Sequence, residues 1–154
     1  MFPLGDDHPT FRRPLATMLL LVAIGAVWLL VQGAGLDVAV LAASVCNFGL
    51  VPGELSGAAV VGTAVPLAHD LVCVVDDEAV NTFTPLTSMF LHGGWAHLLG
   101  NGVFLWAFGR TVEDAMGRLR FLAFYVLCGL VAAAAQVAVD PWSAVPGVGA
   151  SSAI

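Results

Sequence analysis

Charge is scarce in this chain of 154 residues, and lysine is absent altogether. Only 10% of the residues are charged, whereas 59% are hydrophobic, and the mean hydropathy is +0.93. A soluble domain of this length needs a charged coat, which this composition does not supply. All five basic residues are arginines, and they form no basic surface of the kind that nucleic-acid binding requires. The composition therefore indicates an integral membrane protein and argues against a nucleic-acid partner.

Three apolar segments are long enough to cross a bilayer, whose core takes roughly 20 residues of helix. They lie between 13 and 37, from about 95 to 108, and from 121 to 139. The first could instead be a signal peptide, because arginines precede it and the small residues of VQGAG follow it. Its apolar stretch is longer than a usual signal core, however, and further spans come after it. The sequence predicts an all-α, polytopic transmembrane helical bundle, with three spans and the start of a fourth at Ile154.

The arginines also predict the orientation of the chain. Two of them precede the first span, and the other three, Arg110, Arg118 and Arg120, lie between the second and third spans. The long connection 36–85 has no basic residue and several acidic ones. By the positive-inside rule, residues 1–13 form a cytoplasmic tail, and the 36–85 loop lies outside. The expected location is the plasma (inner) membrane of a bacterium, with the N-terminus in the cytoplasm.

The 36–85 loop is unusually long and apolar for a connection. Loops of this length are usually functional or contain structure of their own, so short helices in the outer interface are expected. Cys46 and Cys73 both fall in this loop, where an oxidising compartment permits a disulfide but two cysteines alone do not establish one. Cys128 lies in the middle of the third span and is interpreted as packing.

The motif FLHGGWAHLLGN brings two histidines and an asparagine to the start of the second span. The glycine pair predicts that the helix begins at Trp95, with His92 just before it. His97 and Asn101 are four residues apart and therefore share one helix face. Polar side chains in a span are costly, so a functional role is favoured over simple hydrogen bonding between helices.

A metal site is not expected at this position. Structural and catalytic zinc sites use three or four protein ligands, and this motif lacks both the HExxH pattern and a carboxylate on the same helix face. His69 could join the other histidines only through a loop fold that nothing in the sequence supports.

Acyl-transfer chemistry fits these residues better. A serine nucleophile needs a base, and the tetrahedral intermediate needs donors directed at its oxyanion. The C-terminal stretch PGVGASSAI supplies a serine after a predicted turn at Pro146 and Gly147, and Gly149 permits close approach of the backbone. GASSAI alone is a weak motif, because it lacks the last glycine of the GxSxG nucleophile elbow.

Three segments together resemble the rhomboid family of intramembrane serine proteases: FLHGGWAHLLGN, FLWAFGRTVEDAMGRLRFLAFYVLCG and PGVGASSAI. The similarity is close over roughly 84–154 and extends to the layout of the first half. It implies a six- or seven-span bundle that cleaves transmembrane protein substrates near the outer membrane surface, through a Ser–His dyad and without metal or cofactor.

The resemblance also implies roles for individual residues. Ser151 would be the nucleophile, His97 and Asn101 would line the oxyanion hole, and His92 would support them. We call His92, His97 and Asn101 the oxyanion wall. Glu113 and Gly117 match the ExxxG motif of the family, for which a structural role is expected, with Glu113 paired to Arg118 or Arg120.

Two departures from the family pattern bear on activity. Ser152 stands where the family usually has glycine, and no histidine follows His97 to complete the dyad. The chain is therefore expected to be the N-terminal part of a rhomboid-type serine endopeptidase and to be inactive alone. A non-catalytic rhomboid-like protein that binds membrane clients is the first alternative. A small transporter or channel subunit is the second, but it explains neither the motif spacing nor the turn before the serine.

Overall fold

The computed structural model describes residues 13–68 and 71–154 and is mostly helical. His8, His69 and most of the predicted tail lie outside the described residues. The α-helices are α1 Leu15–Leu30, α2 Val38–Phe48, α3 Pro52–Ser56, α4 Thr84–Thr87, α5 Trp95–Phe104, α6 Arg110–Met116 and α7 Arg118–Val139. A π-helical turn, Leu105–Gly109, joins α5 to α6 without a break. Short 3-10 turns lie at Gly33–Gly35, Ala79–Phe83, Ser88–Phe90 and Ala150–Ser152.

The helices follow the predicted apolar stretches with shifted ends. Among the described residues, α7 alone is both long and apolar enough to cross a membrane by itself. It begins at Arg118, three residues before the predicted start. The helix α1 is shorter, with 16 residues, and ends at Leu30. The predicted start of the second helix at Trp95 is confirmed, and that helix continues through the π-helical turn into α6.

The 36–85 loop corrects the all-α prediction in one respect. It contains the expected short helices α2 and α3, but also an antiparallel hairpin of β1 (Ala64–Ala68) and β2 (Leu71–Val74). Valines, whose branched side chains favour strands, occupy several positions of the hairpin. A disulfide between Cys46 and Cys73 joins α2 to β2. The loop is thus a folded unit that contains its own covalent link.

One face of α7 forms the centre of the bundle. Its buried residues recur every four positions, at Phe121, Tyr125, Gly129 and Ala133. This face packs with buried residues of α1 into a single hydrophobic cluster. A Cβ on Gly129 would overlap the side chain of Met89, so glycine is needed for this close approach.

Glu113 ties the start of α1 to the junction of α6 and α7. Its Oε1 accepts a hydrogen bond from Ala16 N at 3.0 Å, and its Oε2 accepts from Thr17 N and Thr17 Oγ1, both at 2.8 Å. The carboxylate therefore caps α1, whose first backbone N–H groups have no partner within the helix. Arg118 Nε lies 3.8 Å from Oε1, as the expected ion pair requires. Gly117, with φ 86°, ends α6 and begins α7 in a conformation that favours glycine.

The segment that leads to Ser151 lies against the 36–85 loop. Leu50 and Gly147 exchange two backbone hydrogen bonds, at 2.9 and 2.8 Å. Gly53 N donates to Ser143 O at 2.8 Å, and Ser56 Oγ donates to Pro141 O at 2.6 Å. The predicted turn at 146–147 is therefore wrong: the chain turns at 141–142, and Gly147 is in extended backbone paired with the loop.

Candidate active site

His92 is completely buried between a 3-10 turn and the start of α5. Its Nε2 lies 3.1 Å from Asn101 Nδ2. Because an amide nitrogen can only donate, His92 Nε2 must accept, which places the proton of the neutral ring on Nδ1. The Asn101 amide has a second N–H, and this one remains available for another acceptor. The pair thus leaves a hydrogen-bond donor on the buried face of α5.

The environment of His92 favours this neutral form. Burial, and to a smaller extent the neighbouring His97, lower the pKa of the ring from 6.5 to about 4. The two imidazole rings meet edge to face, with their centroids 5.0 Å apart. His92 is therefore uncharged at neutral pH and remains an acceptor for Asn101.

His97 takes the opposite tautomer. Gly93 N donates a long hydrogen bond, 3.4 Å, to His97 Nδ1. In the neutral ring the proton then lies on Nε2, which can donate but cannot accept. A Cβ built on Gly149 would lie 2.6 Å from this same nitrogen. His97 therefore directs a donor at the backbone of the segment that precedes Ser151.

Ser151 lies in the 3-10 turn Ala150–Ser152 with its side chain exposed. Its neighbour Ala150 is fully buried in the hydrophobic cluster and anchors the turn. Gly149, at φ 131°, donates from its backbone N to Ser88 O at 2.9 Å. Ser151 Oγ lies 3.2 Å from the position that a Cβ on Gly149 would occupy. The close approach predicted at this glycine is confirmed.

His97 and Ser151 thus both lie close to Gly149, an approach that is possible because this residue has no side chain. In the part of the chain that the structure describes, no hydrogen bond joins Ser151 Oγ to His92 or His97. The arrangement brings a hydroxyl and a histidine N–H to the same stretch of backbone.

A cavity of about 290 Å³ opens beside Ser151. Its lining includes Ser88 and Gln136 together with small residues of α7 and of the 147–149 segment. A larger space of about 520 Å³ lies at the α6–α7 junction, away from the serine. Within residues 13–68 and 71–154, no group of three or more His, Cys, Asp or Glu side chains is arranged to hold a metal ion.

Comparison with known proteins identifies the family. Residues 80–154 match the rhomboid domain, and this range includes Ser151, the oxyanion wall and the ExxxG motif. This match, together with the similarity to a rhomboid protease, supports a rhomboid family protein. Family membership indicates an integral membrane protein related to intramembrane proteases.

Three relatives of this rhomboid align with it over 69 residues each, or 45% of the chain. They are Rhomboid protease GluP of Bacillus subtilis (strain 168), 41% identical, Putative rhomboid protease YdcA of the same organism, 35%, and RHOMBOID-like protein 5 of Arabidopsis thaliana, 33%. The aligned segments cover only 13%, 34% and 22% of these relatives, respectively. No solved structure matches the rhomboid chain.

Gln32 is a residue of the site that sequence reasoning missed. It follows the end of α1, outside the matched rhomboid segment, and is completely buried. Its amide hydrogen-bonds the backbone of His92, 60 residues later. The one local signal was a glutamine at the end of an apolar run, which is a costly residue to bury without partners.

Proposed function

We propose that this rhomboid is a serine endopeptidase that cleaves transmembrane protein substrates inside the membrane, with Ser151 as the nucleophile of a Ser–His dyad. The observation that carries the proposal is the close approach at Gly149, which brings His97 Nε2 and Ser151 Oγ to the same point of the backbone. A peptide carbonyl bound beside this pair would meet a hydroxyl and a donor at once. Two relatives with protease in their names, from Bacillus subtilis, support the same reaction class.

In the acylation step, Ser151 Oγ forms a bond to the carbonyl carbon of the scissile peptide, and its proton passes to the dyad histidine. The carbonyl π electrons move to oxygen, and the resulting oxyanion accepts hydrogen bonds from His97 Nε2–H and from the second N–H of Asn101. Such donors are effective because they are fixed before the charge develops. The C–N bond then breaks, and the histidine returns the proton to the leaving amine. Water attacks the acyl-enzyme in the same way and releases Ser151.

Neither histidine of the oxyanion wall is suited to be the base. His97 Nδ1 accepts from Gly93, so its Nε2 already carries a proton, and His92 Nε2 is occupied by Asn101. The dyad base is therefore a histidine outside this wall, as the family resemblance also implies. Without it, the serine hydroxyl is a weak nucleophile at neutral pH. We expect no peptide cleavage by the 154-residue chain alone.

Active-site labelling tests the proposal. A fluorophosphonate or isocoumarin probe should label the protein made from the full reading frame of the gene, and it should fail to label the 154-residue chain. Ser151→Ala should abolish labelling and cleavage of a model transmembrane substrate, whereas the matched control Ser152→Ala should retain both. Labelling of the 154-residue chain at Ser151 would show that a base is already present and would overturn the assignment of roles.

The orientation is part of the proposal. It comprises three spans, formed by α1, the continuous α5–α6 helix and α7, with the N-terminus in the cytoplasm of a bacterium. The arginines near the α6–α7 junction support it through the positive-inside rule. After removal of the native cysteines, Gly57→Cys should react with an impermeant thiol reagent on intact cells, and Met116→Cys should not. The reverse pattern would contradict the orientation.

A non-catalytic rhomboid-like protein that binds membrane clients remains the second candidate. The serine at position 152, where the family usually has glycine, favours it. This candidate predicts that a folded product of the full reading frame captures transmembrane clients but takes up no probe, and that Ser151→Ala leaves capture unchanged.

A further inference from the structure

Gln32 makes an unusual pair of contacts with a single residue. Its Nε2 donates to His92 O at 2.7 Å, and its Oε1 accepts from His92 N at 2.9 Å. One side-chain amide thereby satisfies both backbone groups of His92, as a paired residue does in an antiparallel sheet. All of these groups are buried, so no water competes for them.

Among the described residues, Gln32 alone forms hydrogen bonds with the backbone of His92 itself. The residue lies between the 3-10 turn Ser88–Phe90 and α5, and Gly93 and Gly94 follow it directly. Glycine gives a chain more conformational freedom than any other residue. The two hydrogen bonds from Gln32 restrict this freedom at the position where the imidazole must reach Asn101.

We propose that Gln32 is a positioning residue of the oxyanion wall, which holds the His92 backbone so that the ring meets Asn101 and leaves the second amide N–H of Asn101 facing the site. Gln32 touches neither substrate nor the reacting atoms, and acts through His92. The contribution of Gln32 to catalysis rests on the function proposed above, whereas its positioning of the His92 backbone does not depend on that function.

A residue that only fills space would act differently. Methionine has nearly the length of glutamine but neither donates nor accepts strong hydrogen bonds. In a Gln32→Met chain the packing at the end of α1 is retained while the His92 backbone is released. The ionisation and tautomer of His92 then separate a positioning role from a purely structural one.

The first experiment uses the 154-residue chain in detergent micelles, with 15N-labelled histidine and imidazole NMR as a function of pH. The His92 signals are assigned from their loss in His92→Gln. In the unchanged chain, Nε2 should be unprotonated and Nδ1 protonated, and the ring should stay neutral down to a pKa of about 4. In Gln32→Met the midpoint should move toward 6.5, the ordinary value, and the two tautomers should interconvert.

Two further variants make this result decisive. Gln32→Glu keeps both hydrogen bonds while its carboxyl is protonated, so it should preserve the His92 signals at low pH and lose them when it ionises. Thr84→Val removes a different buried side-chain hydrogen bond, from Thr84 Oγ1 to Asn81 O at 2.8 Å, and should leave His92 unchanged. An unaltered tautomer and midpoint in folded Gln32→Met would overturn the proposal. If that chain does not fold, the ionisation dependence of Gln32→Glu decides the matter in the same way.

The second experiment measures catalysis in the protein made from the full reading frame. Displacement of a catalytic group by about 1 Å can cost about 10²-fold in rate, so Gln32→Met should lower kcat by about this factor, with KM little changed. An unaltered kcat would refute the positioning role. If Gln32→Met alters the NMR signals of His92 but the wild-type protein has no activity, the proposed function is refuted, whereas the positioning of His92 by Gln32 is supported.

Discussion

Replacement of Glu113 tests whether a carboxylate on α6 stabilises α1. The side chain accepts three hydrogen bonds from residues 16 and 17, and each bond to a charged acceptor contributes about 1.5–3 kcal/mol. Glutamine keeps one acceptor oxygen. In the most favourable orientation, the glutamine oxygen keeps the two hydrogen bonds from Thr17, but the glutamine NH₂ then faces the N–H of Ala16, and two donors cannot bond. Glu113→Gln should therefore lower the free energy of unfolding by about 2 kcal/mol. Leucine removes every acceptor, so Glu113→Leu should cost about 4 kcal/mol or more.

The assay for Glu113 is unfolding of the chain in mixed micelles by increasing SDS fraction, followed by circular dichroism and tryptophan fluorescence. Glu78→Gln removes an exposed carboxylate of the 36–85 loop and serves as the matched control, with an expected effect near zero. Glu113→Leu should be the less stable of the two Glu113 variants. Equal midpoints for wild type and both variants would show that the three hydrogen bonds do not stabilise the fold, and the capping interpretation would be wrong.

Three further perturbations have expected outcomes. Gly149 has φ 131°, and Gly149→Ala would place a methyl group 2.6 Å from His97 Nε2. Turnover of the full-length protein should therefore fall by about 10²-fold, and unchanged turnover would contradict the close approach. Reduction of the Cys46–Cys73 disulfide, whose cysteines are 27 residues apart, should cost about 3.5 kcal/mol, measured as a lower SDS midpoint with reductant than without. The pKa of His92 is lowered by burial to about 4, so between pH 6.5 and 4 the unfolded chain binds a proton that the folded chain does not. The free energy of unfolding should therefore fall by about 3 kcal/mol in all as the pH drops from 6.5 to 4. His92→Gln should abolish that part of the pH dependence.

Local patterns carried much of the prediction. The glycine pair before Trp95 marked the start of α5, and Gly149 marked a close approach, because a residue without a side chain is visible in the sequence itself. The apolar stretches likewise predicted helices, and the spacing of His97 and Asn101 predicted a shared face. Hydrophobicity and short-range geometry are properties that a single sequence displays directly.

Those local patterns did not predict hydrogen bonds between residues that are distant in the sequence. Glu113 was expected to pair with a nearby arginine, but its main partners are the first N–H groups of α1, 96 and 97 residues away. Gln32 finds its partner 60 residues later. The hairpin in the 36–85 loop was missed because short apolar runs with valine and glycine do not distinguish strand from loop. In each case the decisive contact depends on how distant segments meet, which no window of sequence contains.

The pairing of Leu50 with Gly147 has a consequence for the order of assembly. Leu50 emerges from the ribosome almost a hundred residues before its partner, so the 36–85 loop must wait with an unpaired backbone edge while α5, α6 and α7 are made. Both cysteines of its disulfide are already present by then, and the closed loop can serve as a template on which the 141–149 segment docks. The segment that leads to Ser151 would therefore be placed only after α5, α6 and α7 have been made. Chimaeras between rhomboids should accordingly exchange the loop and the serine segment together, since four hydrogen bonds join the two segments.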